Sequence, residues 1–349
     1  MSSADAVAAV LWIGATLYAV FGGADFGAGF WALFAGSGER GRRARALVDW
    51  AIGPVWEANH VWLIFVLVVL WTGFSVAFES VMSTLFIPLS LAALGIVLRG
   101  SGFAFHKQAA RSSYRLFAER LFGVSSLLTP FFMGTVVGAI ASGRVPVGNA
   151  VGDPVTSWLN GVSILTGALF VATSAYLAAV FLVSDARRAG DEGLEEYFAR
   201  RALGAAIAAG ALAVAGLFVY RADARYIYDG LTGDALPLVI LSAVCGLGVL
   251  VILWRGQRRG TRPLAVGAVV AVIWGWGVAQ HPYLLPQSLT ISDGAGTGTT
   301  MDAILIVFVV AVLIVIPALA FLYTLAQRSM LEGEAQAPGP GSEAAKPRS

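Results

Sequence analysis

Charge, cysteine and histidine are what this chain has least of. Of its 349 residues only 13% are Asp, Glu, Lys or Arg, about half the share of an average soluble domain. With 58% hydrophobic residues and a mean hydropathy of +0.77, a water-soluble globular protein is excluded. The single cysteine, Cys245, excludes an internal disulfide and a cysteine-held metal cluster. A net charge of +2 is too small for the basic footprint of a nucleic-acid binder. The N-terminal MSSADAVAAV has no basic residue, so it does not read as a secretory signal, and the first apolar segment reads as a retained span.

What is present is a series of long apolar runs. A helix crosses the hydrocarbon core in about 20 apolar residues. Nine segments qualify, near 6–35, 53–78, 81–106, 117–141, 156–184, 200–220, 235–254, 263–283 and 301–327. The expected fold is an all-α membrane protein of about nine transmembrane helices, arranged as two helix bundles plus a peripheral helix. Basic residues set its orientation. Arg40 to Arg45, Lys107 to Arg120, Arg187 to Arg201, Arg255 to Arg262 and Arg328 onwards hold 19 of the 23 Lys and Arg on one side, against Arg144, Arg221 and Arg225 on the other. The N-terminus is therefore expected outside and the C-terminus in the cytoplasm. Residues 1–331 read as the transmembrane domain. Residues 332–349, rich in Pro, Gly and small polar residues, read as a disordered cytoplasmic tail.

Four ionisable residues fall at membrane depth, where they are costly and face protein or water. They are Asp25 in GADFGAG, Glu57 and His60 in VWEANHVW, and Arg99 in LRGSGFAF. At 1.5 Å per residue, Asp25 lies ~15 Å from the cytoplasmic end and Glu57 and Arg99 one to two turns from it. Arg99 reads as a structural partner for Glu57 or Asp25. Glu57 suits a helix N-terminus. The glycines around Asp25 suit close helix packing but do not explain an acid in mid-helix, so Asp25 reads as a protonatable group. His60, one turn from Glu57, is placed to hydrogen-bond it. Asn59 stands three residues from both Trp56 and Trp62, so the three share a helical face, expected to meet a protein partner.

The three histidines, His60, His106 and His281, differ in depth. They do not offer two imidazoles facing each other across a haem, and no metal-ligand spacing is visible.

GADFGAG, GPVWEANHVWLI, LRGSGFAF and GWGVAQHPYLLP, in that order, resemble the motifs of subunit II of cytochrome bd-type quinol oxidases. The resemblance covers nearly the whole chain. It implies a multi-pass protein of the prokaryotic cell membrane, a heterodimer with a haem-bearing subunit I, and a complex that oxidises quinol and reduces dioxygen to water. It places haems b and d in the partner and none in this chain, with lipid or quinone contacts open. It implies that acids at the Asp25 and Glu57 positions carry cytoplasmic protons, supported by Asn59, His60 and Arg99, and that Trp62 lies near a route for oxygen. Three positions depart from the family pattern. Gly22 and Ala104 stand where relatives often have acids, and His106 where they often have arginine. A relay here would have fewer acids. The alternative from another class is a proton-coupled secondary transporter.

Expressed without its partner, the chain is predicted to show no stoichiometric Soret band. A Soret band that disappears on replacing His60 would refute this.

Overall fold

The computed structural model describes residues 2–52, 56–108 and 112–336, without the side chains of 56–57, 103–108, 112–116, 322–323 and 325–336. The chain divides into two units, 1–304 and 305–349.

The first span, Ser3–Leu33, is not one uniform helix. Helix α1 (Ser3–Leu17) starts at a capping box between Ser2 and Asp5, which satisfies two otherwise orphaned N–H groups. A π-helical turn, Tyr18–Gly22, then leads into α2 (Gly23–Leu33). Such a turn inserts one residue into the helical register and re-aims everything after it. Helix α3 (Glu39–Ile52) falls where the sequence reading has a loop. It buries Gly41, Ala44, Leu47, Val48 and Ile52, a three-to-four residue spacing, while arginines cover its other face.

Helix α4 (Trp56–Gly73) ends at Phe74, whose φ of −133° and ψ of 56° leave the helical region. Helix α5 (Ser75–Thr84) turns away at 117°, and α6 (Phe86–Gln108) follows Leu85. The expected spans 53–78 and 81–106 both run through these breaks and are corrected accordingly. The physical reason is the polarity of α5. Its hydroxyls belong to the arginine-poor end, where Ser80 Oγ accepts from the Gly148 N–H at 2.9 Å and Ser83 Oγ from the Ala150 N–H at 2.9 Å. In the loop they pin, the Thr156 and Val155 N–H groups hold the Asp153 carboxyl below the usual carboxylate range.

Then come α7 (Ser112–Ala141), α8 (Gly161–Arg188), α9 (Glu192–Asp223), α10 (Arg225–Thr232), α11 (Leu236–Trp254) and α12 (Thr261–Gln280). A short antiparallel pair, β1 (Tyr283–Leu285) and β2 (Leu289–Thr290), precedes α13 (Ile291–Gly294) and α14 (Gly298–Gln336). Among the described residues seven helices are long and apolar enough to cross a membrane alone. The α4–α5 pair makes an eighth if counted as one span, and Phe86–Gly102 is apolar but shorter. Helix α9 starts at Glu192, before the expected 200, because Glu195 and Glu196 pair with Arg187 and Arg258 and make a polar extension stable. Helix α14 continues to Gln336, past the expected tail boundary at 332. The rest of that tail lies outside the described residues. Over 305–321 the helix is apolar, with Ile306, Val307, Val309, Leu313 and Ile314 exposed.

The core of 1–304 includes a hydrophobic cluster joining α2, α3, α7, α8, α9, α11 and α12, centred on Leu177 to Val183 and Phe198, and a smaller one of Ala141, Ile227, Ala235 and Ala279. Helix α2 enters it through glycine. A Cβ at Gly27 would fall inside contact distance of the Ser174 carbonyl, and one at Gly29 inside that of Ser126 Oγ. The backbones touch, and Trp31 Nε1 donates to the Ala175 carbonyl at 2.8 Å. Gly27→Ala is predicted to force α2 off α8 and to destabilise the fold by about 1–3 kcal/mol. Gly23→Ala, whose Cβ would meet Ser174 Oγ at 3.5 Å, is expected to be tolerated. Thermal unfolding of the two purified variants checks the difference, and equal melting would refute it.

Candidate functional site

The π turn and the glycines of α2 bring Asp25 into the interior, where it is 5% exposed. There it meets α4 and α6. Asp25 Oδ2 accepts a hydrogen bond from Asn59 Nδ2 at 2.6 Å. Arg99, 1% exposed, donates from Nη2 to the main-chain oxygen of Asp25 at 2.9 Å and from Nε to Ser126 Oγ at 3.1 Å. Ser126 Oγ passes this on by donating to the Phe122 carbonyl at 2.7 Å. The guanidinium lies between two rings, 4.8 Å from the centroid of Phe26 and 4.9 Å from that of Phe122, which is cation–π geometry.

Of the partners expected for Arg99, an acid or a backbone carbonyl, the described residues supply the carbonyl: Arg99 bonds the Asp25 main-chain oxygen and makes no ion pair with the Asp25 carboxylate. The reason is steric. Arg99 reaches α2 from the side of Ser126, and the carboxylate points instead to α4 and Asn59. Among the described residues, Arg99 Nη1 is buried without a hydrogen-bond partner, as is the hydroxyl of Tyr18. Tyr18 lies edge-on to Phe26 and to His60, at 6.4 and 6.2 Å between centroids, and His60 lies 6.2 Å from Phe26.

Asp25, Asn59, His60 and Arg99 are thus brought together. The side chains of Glu57 and Trp56 lie outside the described residues. Asn59 and Trp62 are 3% and 9% exposed and pack inward. Asn59 must satisfy its amide inside the chain, and Trp62 packs edge-on against Phe65. The outward stripe of α4 is Val61, Ile64, Val68 and Trp71, from 47% to 62% exposed. Sequence reading missed Tyr18, Phe26, Phe122 and Ser126. Only the hydroxyl spacing Ser125, Ser126, Thr129, a polar stripe on an apolar helix, hinted at any of them.

The described histidines do not fit an axial pair for haem. His60 is enclosed by Tyr18 and Phe26, whereas exposed His281 stands at the arginine-poor end, its carbonyl accepting from the Tyr226 hydroxyl at 3.0 Å. The His106 side chain lies outside the described residues. No group of three or more His, Cys, Asp or Glu that could hold a metal occurs among the described residues.

The family model for cytochrome bd terminal oxidase subunit II matches residues 4–326. The chain belongs to that family. It is 24% identical over 340 residues to the putative cytochrome bd menaquinol oxidase subunit II of Bacillus subtilis (strain 168), covering 93% of this chain and 96% of that one. It is 26% identical over 284 residues to the cytochrome bd ubiquinol oxidase subunit 2 of the same organism, covering 80% of each. The fold is similar to a chain of the bd oxidase from Geobacillus thermodenitrificans, with a TM-score of 0.73, 25% identity and coverage of 93% and 98%. This bd oxidase subunit II is therefore a member of a multi-subunit oxidoreductase, multi-pass in a bacterial membrane. The transporter alternative falls with that membership.

Replacing Arg99 with Leu in this subunit removes the donors to Asp25 O and Ser126 Oγ and leaves both acceptors buried. A loss of about 2–5 kcal/mol is predicted, seen as reduced yield and a lower melting temperature of the assembled complex. A Leu variant as stable as the parent would show that these bonds hold nothing together.

Proposed function

We propose that this subunit is the non-haem half of a heterodimer that oxidises quinol and reduces dioxygen to water, with haems b and d held by subunit I. Its part beyond support is to deliver protons from the arginine-rich end, taken as cytoplasmic by the positive-inside rule. The observation that supports this reading is the buried Asp25 carboxylate, which makes no ion pair among the described residues. Asn59 orients Asp25 by holding Oδ2, so proton exchange falls to Oδ1. Arg99 fixes the main chain of α2 beneath that carboxylate. Glu57, at the start of α4, stands nearer the arginine-rich end and supplies Asp25. The haem chemistry belongs to the partner, and no step of it is assigned to this chain.

The names of the two Bacillus relatives differ in the quinol, menaquinol or ubiquinol.

The test is to replace Glu57 with Gln and Asp25 with Asn in the complex. Assembly and haem content are expected to stay near the parent's. Oxygen consumption is expected to fall by about a hundredfold, the lower end of the range for losing a positioned proton-transfer group. The double variant should lose little beyond the worse single one, since steps in series are not independent. Parental turnover in both single variants, with intact haem, would leave these carboxylates structural.

A further inference from the structure

Most arginines of the arginine-rich end lie against an acid, as Arg43 does against Asp191, Arg200 against Glu196 and Arg262 against Asp185. Arg201 of α9 does not. Among the described residues no carboxylate stands within ion-pair distance of it. Its charge is met by two rings and one long bond. The guanidinium carbon lies 3.4 Å from the ring centroid of Tyr197 and 5.6 Å from that of Trp31, and Nη1 donates to the Tyr197 carbonyl at 3.4 Å. Arg201 Nε and the Tyr197 hydroxyl are each buried without a partner in hydrogen-bond geometry among the described residues. Trp31 is itself held, because its Nε1 donates to the Ala175 carbonyl at 2.8 Å. The platform under the guanidinium is thus fixed, while its charge has no counter-ion.

A second cation stands near it. Arg40, exposed in the first turn of α3, lies within electrostatic range of Arg201, and it too makes no ion pair among the described residues. Two uncompensated cations repel each other, and an anion shared between them offsets that repulsion. The position along α9 says where such an anion would come from. Arg201 lies nine residues past Glu192, about 13 Å along the axis. It is the last charge before the run 202–220, which has none. Beyond it the same side of α9 is open. Gly204 and Ala208, three and seven residues on, are exposed, and no atom lies within 4 Å of where a Cβ would stand at Gly204. Ile207 beside them is 56% exposed. On α2 the rings of Phe30 and Phe34 continue from Trp31. The guanidinium therefore stands where charged helix ends give way to exposed apolar surface, the level of a lipid headgroup.

We propose that Arg201 and Arg40 bind the phosphodiester of an anionic phospholipid, with Trp31 and Tyr197 holding the Arg201 fork and an acyl chain lying along Gly204 and Ala208. The planar guanidinium matches two phosphate oxygens at once, and Arg40 adds a second charge. Because no carboxylate stands at the site, the ammonium of a zwitterionic headgroup finds no partner there, so the site selects lipids of net negative charge. A phosphate from solution would make no use of the apolar surface below. The site is separate from Asp25 and does not depend on the proton-delivery reading.

The test uses the assembled oxidase in detergent, with Cys245→Ser and with Ile207→Cys carrying a bimane fluorophore. The same complex without Ile207→Cys supplies the background from other cysteines. Phosphatidylglycerol with brominated acyl chains is titrated in parallel with phosphatidylcholine bearing the same chains, and quenching reports the chain beside α9. Half-quenching is expected at about fivefold or more lower phosphatidylglycerol than phosphatidylcholine, the ratio that the charge of one arginine at a membrane surface supplies. Arg201→Gln should bring the ratio close to one, and Arg40→Gln should lower it in part. Arg200→Gln, which removes the exposed neighbour paired with Glu196, should leave it unchanged. If Arg201→Gln yields no complex, Arg40→Gln and Arg201→Lys, which keeps the charge without the planar fork, carry the test, and an unchanged ratio in both would overturn the proposal. Equal quenching by the two lipids in the parent, the result if an acid of a partner chain occupies the site, would overturn it, as would an unchanged ratio in Arg201→Gln. Inorganic phosphate that abolishes the preference, where chloride at equal ionic strength does not, would make the ligand a soluble anion and not a lipid.

Discussion

A guanidinium held on a peptide carbonyl in the middle of an apolar bundle is the interaction on which the rest of this structure depends. Arg99 is almost fully removed from solvent, and an unsolvated charge of that size costs several kcal/mol unless its donors are met. The chain meets them with the main-chain oxygen of Asp25, the hydroxyl of Ser126 and the faces of Phe26 and Phe122. Each lies on a helix whose position is thereby fixed relative to α6. The carboxylate of Asp25 is left to Asn59 on α4, so α2, α4, α6 and α7 meet at one point.

That meeting requires helices to approach more closely than side chains allow. Gly27 against the Ser174 carbonyl, Gly29 against Ser126 and Gly102 against Ala118 remove the Cβ where the backbones meet. In lipid there is no hydrophobic force pressing helices together, so close packing and interhelical hydrogen bonds supply the association. The π turn at Tyr18–Gly22 is part of the same arrangement. It shifts the face of α2 so that the glycines meet α7 and α8 while Asp25 turns to α4.

The two ends of the molecule are built differently. The arginine-rich end is a lattice of ion pairs, Arg43 with Asp191, Arg187 with Glu195, Arg258 with Glu196 and Arg262 with Asp185. The exposed ones contribute little stability singly, but they let α3 and the first turns of α9 fold as helices outside the apolar layer. The arginine-poor end is held mainly by hydroxyl caps and the β1–β2 turn, with few basic residues.

What the sequence determined by itself follows from composition and short-range pattern. Low charge and long apolar runs specify a polytopic helical membrane protein, because lipid leaves no other partner for backbone groups than the helix itself. The four motifs specify the family, and they name Asp25, Asn59, His60 and Arg99 as the polar residues at depth. Tertiary structure decided where those groups point. Arg99 was legible as a buried charge needing partners, but its choice of a carbonyl over the Asp25 carboxylate depends on the angle at which α6 crosses α2. Asn59 and Trp62 were legible as one face of α4, but whether that face turns inward depends on the neighbouring helices. Period and spacing define a face without saying what covers it. The break at Phe74 and the helix at Glu39–Ile52 were out of reach for the same reason. Each is set by contacts between residues far apart in the chain, and those contacts exist only once the helices have packed.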